Sequence, residues 1–82
     1  MNAGIQVVPV NIVDPTYSIV DKAIAVIQQS GMEYTVTPFE TVVNGTMDQI
    51  LQLIAQLKTT AEEAGADELI INTLFHSKKT AD

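Results

Sequence analysis

The side chains best suited to binding a ligand are concentrated in one short segment, residues 35–45. The segment combines hydroxyl, carboxylate, amide and aromatic groups, supplied by Thr35, Thr37, Phe39, Glu40, Thr41 and Asn44. Such a mixture suits a small heterocyclic ligand, because the polar groups orient it and an aromatic ring stacks on it. Threonine is also a frequent strand residue, so a plain β-hairpin is the other interpretation of the segment.

Groups that would support catalysis or metal binding are sparse in the rest of the chain. The sequence has no cysteine and no arginine, and His76 is its single imidazole. A Ser–His pair would have to use Ser18, Ser30 or Ser77, and none of these serines stands in a recognisable nucleophile turn. We therefore expect no enzyme, with no catalytic residue, no metal site and no cofactor.

The charge of the chain restricts its partners. Four lysines stand against ten carboxylates in 82 residues, for a formal net charge of −6. Nucleic acid is a poor partner for such a chain, since binding to phosphate backbones depends on Lys and Arg releasing counterions. A small organic cation, by contrast, meets a favourable field. No stretch approaches the roughly 20 apolar residues that cross a bilayer, so we expect a cytoplasmic protein with no membrane partner.

Six secondary-structure elements must position the polar segment. Alternating and helical spacing of apolar residues predicts them, in the order strand, helix, strand, strand, helix, strand, over residues 3–10, 15–30, 32–36, 41–44, 46–64 and 68–75. Gly31 and Gly65 are placed to end the helices, and Thr46 with Gln49 matches a capping box that begins the second helix. The second helix is predicted to bury a stripe that includes Met47, Ile50, Leu51, Ile54, Leu57, Ala61 and Ala64.

This element order is the split βαβ repeat of an α+β, ferredoxin-like sandwich. Right-handed crossovers place both helices on one face of a four-stranded antiparallel sheet and leave the other face bare. We expect residues 1–82 to form a single domain. The bare face carries large aliphatic side chains, among them Val8, Ile70 and Leu74. Because a monomer rarely exposes such a patch, a homo-oligomer is predicted.

Two phrases of the sequence resemble a known family. Residues 30–34 read Ser-Gly-Met-Glu-Tyr, and residues 38–45 read Pro-Phe-Glu-Thr-Val-Val-Asn-Gly. A Val-Pro pair at residues 8–9, at the end of the first predicted strand, accompanies them. Together they resemble the small thiamine-binding protein family, and the resemblance extends from about residue 5 to residue 78.

The resemblance implies a function and a mode of assembly. Members are ferredoxin-like protomers that pair through their sheets, here a homodimer or a homotetramer, and that bind thiamine or its hydroxymethylpyrimidine part without catalysis. Many members look to have Glu where this chain has Asn44. That departure is expected either to weaken recognition of the aminopyrimidine or to transfer the task to Glu40.

The resulting hypothesis assigns roles to six residues. Glu40 and Asn44 form hydrogen bonds or charge pairs with the ligand. Thr37 and Thr41 contact it through their hydroxyls, and Phe39 or Tyr34 stacks on it. Alternation along the strands equally allows Thr41 and Tyr34 to face the helices instead. The competing hypothesis is a ligand-free interaction or regulatory module, in which the bare sheet serves only to oligomerise.

Overall fold

A computed structural model describes residues 1–10 and 18–79 of the chain. Its elements, in chain order, are β1 (Asn2–Val10), α1 (Ser18–Gln29), β2 (Glu33–Val36), β3 (Thr41–Asn44), α2 (Met47–Glu63) and β4 (Glu68–His76). The order of strands and helices is the one that the sequence predicts. The predicted first turn of the first helix, at residues 15–17, and residues 80–82 lie outside the described residues.

The four strands form one antiparallel sheet in the order β2-β3-β1-β4. β1 is central and pairs along its whole length with β4, from Asn2 opposite His76 to Val10 opposite Glu68. The helices pack on one face of this sheet, so the predicted ferredoxin-like α+β sandwich is confirmed. None of the helices in the described part of the chain is long and apolar enough to span a membrane.

Local signals set the ends of the helices. Thr46 Oγ1 accepts a hydrogen bond from the Gln49 backbone N–H at 3.2 Å, and Gln49 Oε1 accepts one from the Thr46 N–H at 2.9 Å. Both halves of the predicted capping box are therefore present. Gly31 and Gly65, which follow α1 and α2, have φ of +81° and +111°, the left-handed conformation in which glycine ends a helix.

The core lies between the sheet and the two helices. Its buried side chains come from the sheet and from both helices and include Ile5, Ile27, Val43, Ile50, Leu53 and Leu57. On α2 the predicted stripe was wrong at two positions, since Met47 and Leu51 are 42% and 50% exposed. Leu53 is buried in their place, because successive helical residues turn by about 100° and Leu51 points away from the line through Ile50 and Leu57.

The sheet face opposite the helices, called the open face below, follows the predicted alternation. Its exposed apolar side chains are Val8, Ile70 and Leu74, at 37%, 49% and 75% exposure. The exposed polar residues on the same face include Gln6, Thr35, Asn44, Asn72 and His76. A continuous surface of mixed character thus lies uncovered on one side of the protein.

Candidate functional site at the hairpin turn

A tight turn between β2 and β3 holds the polar segment in place. The Thr37 N–H donates to the Glu40 carbonyl at 2.9 Å, and the Thr37 hydroxyl donates to the same oxygen at 2.6 Å. The hydroxyl oxygen also accepts from the backbone N–H groups of Phe39 and Glu40, at 3.3 and 3.0 Å. Because its one proton is committed to the Glu40 carbonyl, Thr37 shapes the turn and has no donor left for a ligand.

Phe39 stands at the tip of this turn. Its side chain is 82% exposed, the most exposed of the large hydrophobic residues in the described structure. The Gln6 side-chain amide donates to the Phe39 carbonyl at 3.3 Å and so ties the tip to β1. Because the turn fixes the backbone of Phe39 and leaves its ring exposed to solvent, the ring is available to stack on a ligand.

Glu40 places its carboxylate on the open face, over the backbone of Gly4. A Cβ atom built on Gly4 would lie 2.5 Å from Glu40 Oε2 and 2.7 Å from its Cδ. The carboxylate therefore occupies the space that a side chain at position 4 would fill. Within residues 1–10 and 18–79, the Glu40 carboxylate makes no hydrogen bond or ion pair with another group.

Two amide side chains extend the polar surface from Glu40 across β1 to β4. Asn72 Nδ2 donates to Gln6 Oε1 at 3.2 Å, and these residues are directly opposite each other in the β1–β4 ladder. Both lie on the open face, as alternation along β1 and β4 requires, but the sequence did not predict them as part of the site. The available signal was Gln6 itself, the one polar residue among the aliphatic residues of β1 after Gly4.

Thr41 lies on the opposite side of the sheet from the Glu40 carboxylate. Its side chain is 8% exposed and faces the helices, which is the outcome that alternation left open. It lines a cavity of about 160 Å³ between α1 and the turn, together with Val20, Ile24, Val36 and Phe39. Ligand pockets usually measure roughly 300–1,000 Å³, so this cavity is smaller than a usual ligand pocket.

Tyr34 and Asn44 lie away from the turn and on different faces of the sheet. Tyr34 pairs with Val43 and points to the helix side, with 41% of its side chain exposed. Asn44 is four residues along β3 from Glu40, a separation of roughly 13 Å, and its Oδ1 accepts from the Met1 amino group at 3.4 Å. The fold therefore gathers Thr37, Phe39, Glu40 and Thr41 around the turn and leaves Tyr34 and Asn44 outside it.

These features define a ferredoxin-like α+β protein whose candidate site is a hairpin turn beside an open sheet face. The chain belongs to the thiamine-binding protein family, whose family model matches residues 3–82. The family that the sequence phrases resemble is thus confirmed.

Individual relatives agree with this placement. A UPF0045 protein of Clostridium perfringens is 30% identical over 78 residues, which cover 95% of this chain and 82% of that protein. The solved structure of a Bacillus cereus domain of unknown function, DUF77, is 35% identical, with a TM-score of 0.89 over 96% of this chain and 76% of its own. A Thermotoga maritima structure, provisionally assigned to thiamine biosynthesis or salvage, is 27% identical, with a TM-score of 0.84 over 94% and 82%.

Proposed function

We propose that this protein binds thiamine, or its hydroxymethylpyrimidine part, and does not convert it chemically. The observation that carries the proposal is the Glu40 carboxylate, which lies over Gly4 without a partner among the described residues. Membership of the thiamine-binding protein family and the thiamine assignment of the Thermotoga maritima relative favour this ligand.

The chemistry of the ligand matches the groups around the turn. Thiamine carries a permanent positive charge on its thiazolium ring, and its aminopyrimidine has hydrogen-bond donors and acceptors on one edge. In the proposed complex Glu40 supplies the opposite charge, and the amides of Gln6 and Asn72 supply further donors and acceptors. Phe39 stacks on a ring of the ligand from the tip of the turn.

The six residues of the sequence hypothesis take unequal parts in this proposal. Glu40 and Phe39 keep direct roles, and Thr37 acts by shaping the turn through its hydroxyl. Thr41 reaches only a ligand ring that enters the cavity on the helix side. Asn44 and Tyr34 are left without a contact to a ligand at Glu40, so Glu40 takes the task that the resemblance assigns to a carboxylate at the position of Asn44.

The proposal includes assembly through the open face into a homodimer or homotetramer. Val8, Ile70 and Leu74 expose a large part of their apolar surface there, and burying it against a second copy removes it from water. It also includes a binding role without a separate cofactor, since the family is named for binding. A cytoplasmic location remains a prediction from the sequence.

Isothermal titration calorimetry with thiamine tests the site directly. A hydrogen bond to a charged group contributes about 1.5–3 kcal/mol, so Glu40→Gln is expected to weaken binding by about tenfold to a hundredfold. Glu63→Gln is the matched control, because it removes the same charge from the exposed end of α2. It is expected to bind thiamine as the wild type does.

Thermal melting separates this function from a ligand-free module. A ligand that binds only the folded protein raises its melting temperature by mass action. If millimolar thiamine leaves the melting temperature of the wild type unchanged and Glu40→Gln assembles normally, the binding role is refuted. An interaction or regulatory module would then be the function to test.

A further inference from the structure

The Glu40 carboxylate lies within the surface that an oligomer would cover. On the open face, Gly4 stands between Leu74 of β4 and Val42 of β3 in the strand register, and the carboxylate rests over Gly4. Leu74 is 75% exposed, so its apolar side chain projects beside the charged group. The Glu40 charge is therefore central to the face and not at its rim.

Covering the open face would take this carboxylate out of water. Transfer of an ion into a low-dielectric interface is strongly unfavourable unless an opposite charge accompanies it. The lysines of the described residues are placed elsewhere. Lys22 is exposed on α1, and Lys58 bonds to Glu62 on α2. Lys78 and Lys79 line a depression at the Asn44 end of the sheet.

Two-fold symmetry of a dimer adds electrostatic repulsion between the two copies to the cost of desolvating each Glu40 carboxylate. Most homodimers are two-fold symmetric, so the same patch of both copies meets itself. When the axis passes near the centre of the open face, the two Glu40 carboxylates approach each other across the interface. Like charges in that position oppose association until each is neutralised.

The projected area of the open face is of the same order as the surface that a second copy covers. β1 and β4 have nine residues each, and β2 and β3 have four each. At about 3.3 Å per residue and about 4.8 Å between strands, the face measures on the order of 400 Å² in projection, before the relief of its side chains is counted. A standard interface buries about 800 Å² of accessible surface per partner, which is the same order of size.

We propose that cation binding at Glu40 and self-association through the open face are coupled. A bound organic cation neutralises the carboxylate and so strengthens the pairing of two copies of this chain. The inference rests on the proposed function, because it takes thiamine as the cation. By thermodynamic linkage, the associated form must then bind thiamine more tightly than the monomer does. Couplings between two binding events commonly change an affinity by about tenfold.

Sedimentation velocity of the full chain over a range of concentrations tests the coupling. Saturating thiamine is expected to lower the dissociation constant for self-association of the wild type and of Glu63→Gln by about tenfold. Without thiamine, Glu40→Gln is expected to associate more tightly than the wild type and Glu63→Gln. Thiamine is expected to leave the self-association of Glu40→Gln unchanged. Leu74→Asp is expected to weaken association in each background, and circular dichroism confirms that every variant is folded.

The outcomes distinguish this inference from the function on which it rests. If calorimetry shows that thiamine binds and self-association does not change, the coupling is wrong and the binding site stands. If thiamine does not bind at all, the proposed function fails. The self-association of the two glutamine variants then decides the coupling. If Glu40→Gln associates no more tightly than Glu63→Gln, the coupling is wrong. Association that survives Leu74→Asp also overturns it, because the interface then lies on another surface.

Discussion

Thr37 and Glu40 are three residues apart in the chain and contribute to the site in different ways. The Thr37 hydroxyl is consumed by three contacts inside the turn. The Glu40 carboxylate, by contrast, has no partner among the described residues and lies over Gly4 of β1. A threonine in a segment suited to ligand binding can therefore serve to stabilise the turn, as Thr37 does, and have no donor left for the ligand.

The glycine under Glu40 gives a prediction at the residue scale. In Gly4→Ala the new methyl group would meet the carboxylate at 2.5 Å, so the flexible Glu40 side chain must move off the sheet. We expect thiamine affinity to fall about tenfold by calorimetry, while the free energy of unfolding in urea changes by less than about 1 kcal/mol.

Gly45→Ala serves as the control for that variant. A Cβ there would lie 2.8 Å from Met32 Sδ and 2.9 Å from Gln49 Oε1, which crowds the capping box far from Glu40. It is expected to lower stability and to leave thiamine affinity unchanged. Wild-type affinity in Gly4→Ala would show that the ligand does not need the carboxylate in the position over β1.

At the scale of elements, local signals predicted the order, type and approximate ends of the strands and helices. Alternation identified the open face, and the Thr46–Gln49 pair located the start of α2. The buried stripe of α2 was misjudged at Leu51, because which apolar residues are buried depends on the layer that the helix meets. The placement of Glu40 over Gly4 was not predictable for a similar reason, since it depends on the register between β1 and β3.

The capping box gives a prediction at the element scale. Thr46→Ala removes the hydroxyl that accepts the Gln49 N–H, and loss of such a cap costs about 1 kcal/mol. For a domain of this size that corresponds to a fall of roughly 4–8 °C in melting temperature, measured by circular dichroism at fixed protein concentration.

Thr59→Ala is a matched control for the cap. Its hydroxyl donates to the Ala55 carbonyl at 3.2 Å on the exposed surface of α2, where alanine is the better helix former. We expect its melting temperature to equal or exceed that of the wild type. Equal melting temperatures for the two alanine variants would mean that the capping box does not stabilise α2.

At the scale of the whole molecule, the distribution of charge matters more than any single ion pair. The chain has a formal net charge of −6 and no arginine. Lys58 is paired with Glu62 at 3.0 Å on the helix layer, and Lys78 and Lys79 lie with Asn44 at the end of the sheet remote from the turn. The candidate site is thus suited to a cation and lacks the fork of donors that binds phosphate well.

This charge distribution predicts which form of the vitamin the protein accepts. Thiamine is expected to bind most tightly, thiamine monophosphate less tightly and thiamine pyrophosphate least, because each added phosphate brings negative charge into a negative field. Calorimetry of the three ligands at low and high salt measures the order, and salt is expected to narrow the differences by screening. Hydroxymethylpyrimidine, which lacks the thiazolium charge, is the control and should show little dependence on salt. Tighter binding of the pyrophosphate than of thiamine would refute the charge argument and would direct attention to Lys78 and Lys79 as the groups that hold the ligand.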